Sequence, residues 1–429
     1  MKIPDIYEIF KKYPNIITDS REIMPDSIFV ALKGDNFDGN KFVDSALEKG
    51  AAYAIADDKS LAGKENIIVT DDALKTLQEL AAYHRKKLGL PVLAITGSNG
   101  KTTTKELVHR TLSKKFNVAV TEGNLNNHIG VPKTLLNMKP DSDFAVVEMG
   151  TGNFGEIETL CEIANPDFGL ITSVGKAHLE SFKNVEGVAK AKGELFEFLA
   201  ANSGKIFVNK DIDIISEMAA KFADKKNIIE YSRHDCEIKI LPTDDKNDCL
   251  QFMFSEIKVC TKLIGQFNID NALAAIAISK YFNISDLDIA DAIASYIPEN
   301  NRSQKIKTRQ NILYMDAYNA NPTSMQASLK NFIDQAAANK MLILGDMLEL
   351  GISSENEHQN IIKIITESNI SDVLLVGNCF SKAAHNTKFV CFKNVDDCIK
   401  YLCEHKIENR TVLIKGSHGI HLEKAVKYL

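Results

Sequence analysis

The stretch that most restricts this chain runs from Val92 to Glu106, VLAITGSNGKTTTKE. Val92, Leu93, Ala94 and Ile95 form a short apolar run, as expected of a strand buried on both faces of a parallel sheet. After Gly97-Ser98-Asn99-Gly100-Lys101-Thr102-Thr103, the residues Leu107, Val108, Thr111 and Leu112 recur with helical spacing. Strand, glycine turn, Lys-Thr and helix start together predict a phosphate cradle. Glycines let backbone N–H groups converge on anionic oxygens, and the helix N-terminus adds free donors and a positive dipole end. Lys101 is placed to reach β/γ-phosphates and the Thr102 hydroxyl to hold Mg²⁺. The loop is G-x-x-G-K-T, shorter by two residues than the usual spacing between its glycines. The stretch predicts a nucleoside triphosphate site.

A chain of 429 residues predicts two to four domains. With 45% apolar and 25% charged residues it is ordinary for a globular protein, and a net charge of −6 offers no footprint for nucleic acid. The eight cysteines form no C-x-x-C pair, which indicates neither a zinc cluster nor a disulfide framework. The N-terminal residues lack a signal-peptide core, and no apolar run is long enough to cross a membrane. A cytoplasmic monomer without membrane insertion is expected.

Three units follow from the patterning: 1–88, 89–301 and 302–429, all α/β. In the first, short apolar runs (27–32, 52–55, 67–69) alternate with helical patterns at 41–49 and 72–87. The second predicts a doubly wound parallel sheet around the phosphate loop. Two of its strands end in useful residues: Phe144–Val147 runs into Glu148, and a run from Phe168 leads to Gly175-Lys176-Ala177-His178. Ligands of open α/β sheets bind outside the carboxyl ends of strands, so Glu148 and His178 fall on the loop's side. A helix over 185–200 carries Lys190 and Lys192. Three antiparallel strands are expected at 236–241, 250–254 and 257–263. Asn268 and Asn271 then share a helical face; capping accounts for one, and the pair suggests that at least one has another task, such as an amide contacting a base edge. The third unit reads as a Rossmann-like domain without G-x-G-x-x-G. Its strands at 312–315, 341–344 and 411–414 run into DAYNANP, GDMLELG and KGSHG.

These motifs, with EGNLNNHIGVPKTLL (Glu122–Leu136) and DSREIMPDSIFVALKGDNFDG (Asp19–Gly39), resemble the Mur ligase family over nearly the whole chain. The resemblance is to the branch that adds D-alanyl-D-alanine to UDP-N-acetylmuramoyl-tripeptide in peptidoglycan synthesis. Other Mur steps and folylpolyglutamate synthases are the neighbouring alternatives. A nucleotide-binding regulator that has lost chemistry is the more distant one. The resemblance implies that ATP phosphorylates the tripeptide's terminal carboxylate and that the dipeptide amine then displaces phosphate.

By the same resemblance Lys101, Glu148, His178 and Lys192 are catalytic. Thr102 and Glu148 hold one Mg²⁺, while His178 and a carbamylated Lys192, in its A-K-x-x-L-F context, serve a second. Gly97, Ser98, Asn99, Gly100, Thr102 and Thr103 cradle the nucleotide. Asn268 and Asn271 meet adenine, Asp316 the ribose, and Arg302 the phosphates. Ser20, Arg21, Asp38 and Gly39 bind the uridine diphosphate end. Asn126, Asn127, Asn319, Asn321, Asp346 and Glu349 contact the remaining substrate groups, the last four on the dipeptide side. The third unit is expected to swing on a hinge near 298–305, where Asn300 and Asn301 tolerate unusual backbone angles, from an open arrangement to a closed one when ligands bind.

Overall fold

The computed structural model describes residues 1–242, 249–299, 301–335, 337 and 339–429; Asn300 of the expected hinge lies outside them. The first unit is a four-stranded parallel sheet in the order Asn15–Ile17, Ser27–Val30, Tyr53–Ala56, Ile67–Val69. Every residue of Ser27–Val30 is buried, as a central strand requires. The Ala73–Leu88 helix starts on an Asp72 cap and stops at Gly89 with φ +66°. It packs between this sheet and the next. One apolar core therefore runs from Ile6, Phe10 and Ile28 through Leu77 to Val92, Val131 and Leu160.

The second sheet has six parallel strands, ordered Ile228–Tyr231, Lys205–Asn209, Phe168–Ile171, Val92–Thr96, Phe144–Glu148, Val118–Val120. Strand order reverses on either side of Val92–Thr96, and the crevice this opens lies above the phosphate loop. The sheet's other face is covered by the Lys101–Leu112 and Ile269–Tyr281 helices and by Phe252 and Phe254 of a three-stranded antiparallel sheet. The first of those three strands is only Lys239–Ile240, because Ser232–Cys236 closes a turn that buries Cys236.

The third sheet is ordered Gln304–Lys307, Ile312–Asp316, Thr411–Lys415, Lys340–Gly345, Asp372–Val376, Val390–Phe392. All its pairings are parallel except that of the Gln304–Lys307 edge strand, which periodicity missed. The chain's last described elements are two 3₁₀ segments, His418–Ile420 and Leu422–Tyr428, parted by His421 at φ +59°. Leu179 of the second unit is buried in the third unit's core beside Met347 and Leu350, which joins the two units.

Candidate active site

The phosphate loop is wired to the neighbouring strand end. Ser98 N–H donates to Ser173 O (2.9 Å), Asn99 N–H to Ser173 Oγ (2.9 Å), and Thr172 Oγ1 to Asn99 O (2.6 Å). Two glycines are needed for this approach. A Cβ on Gly97 would lie 1.9 Å from Thr172 Oγ1, and one on Gly100, at φ +83°, 2.3 Å from Asn271 Oδ1. Lys101 Nζ folds back onto Gly97 O at 2.7 Å. Burial lowers the pKa of Lys101, Arg302 adds to this, and Glu148 opposes it.

Glu148 is fully buried at the end of its strand, opposite Ile95. Asn126 Nδ2 donates to its Oε1 at 2.8 Å, while Oε2 is buried without a partner. The Thr102 hydroxyl is likewise buried and unpartnered. Orphaned polar atoms cost about 1–3 kcal/mol each, so two beside one loop are better explained by a ligand than by packing. A hydroxyl and a carboxylate oxygen suit Mg²⁺, which prefers oxygen donors. The residues present fit that ion.

Lys192 is 2% exposed, and no hydrogen bond or ion pair holds its amine among the described residues. Burial, reinforced by Lys101, pushes its pKa well down. Lys190 of the same Val185–Ala201 helix is exposed and stacks over Phe154 at 5.5 Å. The two lysines are thus in opposite environments, and Lys192 is the one turned inward.

His178 is engaged by the third unit. Its Nδ1 pairs with Glu349 Oε2 at 2.6 Å, and no hydrogen bond or ion pair links it to Thr102, Glu148 or Lys192 among the described residues. Its hydrogen bond to Glu349 lowers that carboxyl's pKa. Glu349, expected to receive a dipeptide, is therefore engaged across the seam. It sits at φ +62°, a left-handed conformation uncommon for glutamate.

The two asparagines are also committed. Asn268 donates to Ile264 O (2.7 Å) and Ser303 Oγ (3.2 Å), and its Oδ1 accepts from Asn271 (2.8 Å). Asn271 Oδ1 accepts from Thr104 Oγ1 (3.1 Å). They brace the loop's helix against the Ile269–Tyr281 helix, and Asn268 has no N–H left for an adenine edge. Asp316 accepts from Lys415 (2.5 Å) and Ser328 (2.8 Å), and borders a small cavity with Phe267, Ser303 and Asn331. Arg302 lies over the Tyr318 ring at 3.6 Å. Lys415 and Tyr318 escaped sequence reasoning, though both belong to motifs it singled out.

Asp346 corrects another expectation. It is 3% exposed, and its carboxylate accepts the N–H groups of Cys379 and Phe380 at 2.8 Å each, capping the Asn378–Ala383 helix. Asn321 caps the Pro322–Asp334 helix and donates to Asn99 Oδ1 of the phosphate loop at 2.8 Å. Asn319 is exposed and bonds only locally, to Ala320 N–H. Asn127 caps its own turn at Ile129 and Gly130.

In the first unit Arg21 is exposed and clamps Asp19, whose carboxyl it holds well below the usual range; Lys133 of the second unit adds to this. Lys49 donates to Ser20 O (3.0 Å), and Asp38 accepts from Asn40. Gly39 passes so close to Leu32 that a Cβ would lie 2.5 Å from its carbonyl oxygen.

Comparison with known proteins adds a separate line. Residues 12–93, 95–279 and 301–418 match, respectively, the Mur ligase family catalytic domain, the Mur ligase middle domain and the Mur ligase glutamate ligase domain. UDP-N-acetylmuramoyl-tripeptide--D-alanyl-D-alanine ligase of Bacillus subtilis is 33% identical over 425 residues, covering 96% of this chain and 92% of the relative. A crystal structure of MurF from Acinetobacter baumannii is 31% identical with a TM-score of 0.84, covering 96% of this chain and 92% of that one. MurF ligase from Thermotoga maritima, solved with ADP, shares the fold at 24% identity, with a TM-score of 0.82 and 96% of each chain covered.

Proposed function

Since the chain belongs to the Mur ligase family of ATP-dependent amide-bond ligases, we propose that it joins D-alanyl-D-alanine to UDP-N-acetylmuramoyl-tripeptide. The observation that carries the chemistry is the pair of unpartnered buried oxygens, Thr102 Oγ1 and Glu148 Oε2, beside Lys101. The relatives' shared activity carries the choice of substrates.

The tripeptide's terminal carboxylate oxygen bonds to the γ-phosphorus of ATP as the bond to the β-γ bridging oxygen breaks, giving an acyl phosphate and ADP. The dipeptide's neutral amine then bonds to the acyl carbon, a tetrahedral centre collapses, and phosphate leaves with the amine's surplus proton released. Two anions must meet in the first step, so positive charge is decisive. Lys101 supplies part of it. Thr102 and Glu148 would hold one Mg²⁺ and a carbamylated Lys192 a second, and these ions supply the remaining charge neutralisation. Asn126 orients Glu148 through its Oε1 contact. Arg302, near enough to Lys101 to lower its pKa, adds charge toward the phosphates. Asn321 brings the third unit to the loop through Asn99.

The Ser20–Arg21 turn and the Asp38–Gly39 turn form the uridine diphosphate end of this reading. We place the activity in the cytoplasm, where ATP and UDP-linked precursors are available, and in a monomer. No helix among the described residues is long and apolar enough to cross a membrane. Purified protein supplied with ATP, D-alanyl-D-alanine and each UDP-tripeptide in turn, with a lysine or a meso-diaminopimelate third residue, should release phosphate and form the pentapeptide with one of them. Lys101→Ala should abolish this while still folding. Phosphate release that does not need the dipeptide would overturn the assignment.

A further inference from the structure

Residues 173–180 connect two sites that the reaction must bring together. At one end Ser173 and Gly175 hold the phosphate loop: Gly175 N–H donates to Ser98 Oγ at 3.0 Å, and Ser173 Oγ accepts from Asn99 N–H. At the other end the same stretch grips the third unit. Lys176 N–H donates to Thr323 Oγ1 (3.2 Å) and Glu180 N–H to Glu349 O (3.1 Å). Gly351, at φ +52°, lies so near Glu180 that a Cβ would sit 3.1 Å from its Cα. Leu179 is buried among Met347, Leu350 and Ile361.

Among the described residues, the one strong charge contact in this grip away from His178 is Lys176 Nζ to Glu357 Oε1, at 2.6 Å. Its two ends differ. The Lys176 side chain is 45% exposed, whereas that of Glu357 is 5% exposed and its Oε2 is buried without a partner. Lys176 is the one cation paired with Glu357 among the described residues. A buried carboxylate with a single cation is held strictly to that cation, because releasing it would strand the charge.

We infer that residues 173–180 form a clasp and that Lys176 and Glu357 are positioning residues. They set how the third unit sits over the phosphate loop, and so where the incoming amine meets the acyl phosphate. This rests on the ligase reading above. Among the described residues no hydrogen bond or ion pair links either side chain to the phosphate loop, so the pair acts on acceptor placement and leaves nucleotide binding alone. The asymmetry gives a direction: losing Lys176 leaves a buried unpaired carboxylate, whereas losing the Glu357 charge leaves a lysine that can turn to water.

The test uses the full-length protein with Lys176→Glu, Glu357→Lys, the exchanged double variant, and the milder Lys176→Met and Glu357→Gln in case reversal disturbs folding. ADP affinity by calorimetry should stay within about twofold in every variant, while KM for D-alanyl-D-alanine rises about tenfold or more in the single reversals. Their radius of gyration in solution should exceed that of the wild type. Lys176→Met should be more affected than Glu357→Gln, and the exchanged pair should recover most of both losses. Wild-type KM and scattering in the single variants overturns the clasp. So does an exchanged variant no better than the worse single, or a parallel loss of ADP affinity. If the ligase reading itself were wrong, the wild type would not ligate, and the ADP and scattering measurements would still decide the clasp.

Discussion

Lys192 is where burial and chemistry bear most directly on each other. An ammonium with 2% exposure and no partner among the described residues would carry a desolvation cost of several kcal/mol, so burial favours the neutral amine. In the carbamylation proposed above, the neutral amine would attack carbon dioxide: the N–C bond forms as a C=O π bond opens onto oxygen, a proton leaves, and an anionic carbamate would take the place of the cation. Next to Lys101 that anion is favoured rather than opposed. Lys192→Ala should therefore be nearly inactive and partly rescued by added formate or acetate, and wild-type activity should fall when bicarbonate is removed. Undiminished turnover of Lys192→Ala would remove the role. That Lys192 rather than Lys190 turns inward agrees with the A-K-x-x-L-F context, and the burial of Glu148 agrees with its place at a strand end. The tasks of Asn268, Asn271 and Asp346 were not legible in the sequence. Spacing tells which residues share a face or follow a strand, but not that Thr104, Ser303 or a helix N-terminus arrives to take up their hydrogen bonds. Nor does spacing show that His178 meets Glu349, 171 positions later.

At the scale of elements, one imidazole links the first two units by hydrogen bonds across their shared apolar core. His84, in the Ala73–Leu88 helix, accepts from Tyr7 OH at Nδ1 (3.0 Å), which leaves Nε2–H to donate to Met138 O (3.0 Å). Burial lowers its pKa, and the same holds for His358, whose Nε2 accepts Met347 N–H. The sign follows directly. The unfolded chain takes up protons at the ordinary imidazole pKa near 6.5 and the folded chain only below it, so stability is present above that value and lost as pH falls through it. Thermal melts at about pH 7.5 and about pH 5.5 should show a drop in Tm that shrinks in His84→Gln, which keeps a donor and an acceptor without a titrating ring. Equal drops in both proteins would count against the imidazole. The central strands were readable from sequence because burial on both faces writes an unbroken apolar run. Edge strands such as Gln304–Lys307 and Val118–Val120 carry no fully buried residue, so they left no such mark.

At the scale of the whole molecule, the seating of the third unit depends on a short connection with unusual backbone. Asn301 adopts φ +56° and Ser303 φ +45°, as the sequence-based hinge near 298–305 allowed. Ser303 is tied to both sides: its hydroxyl accepts from Asn268 of the second unit, and its N–H donates to Asp316 Oδ1 of the third at 3.4 Å. With Asn321 bonded to Asn99, these contacts fix the joined arrangement through the connection and the phosphate loop together. Proline holds φ near −65°, so Asn301→Pro cannot take the observed turn, whereas Asn301→Gly can. Both units keep separate cores, at Leu107, Phe252 and Ile276 on one side and Leu329, Leu344 and Leu375 on the other, so each should remain folded in the variant. A displacement of about 1 Å between reacting groups costs about 100-fold in rate. Asn301→Pro should therefore lose ligation by at least that factor, keep its ADP affinity, and scatter as a more extended particle, with Asn301→Gly close to wild type in all three. A proline variant with the wild-type scattering profile and turnover would show that the backbone at Asn301 does not govern how the units meet.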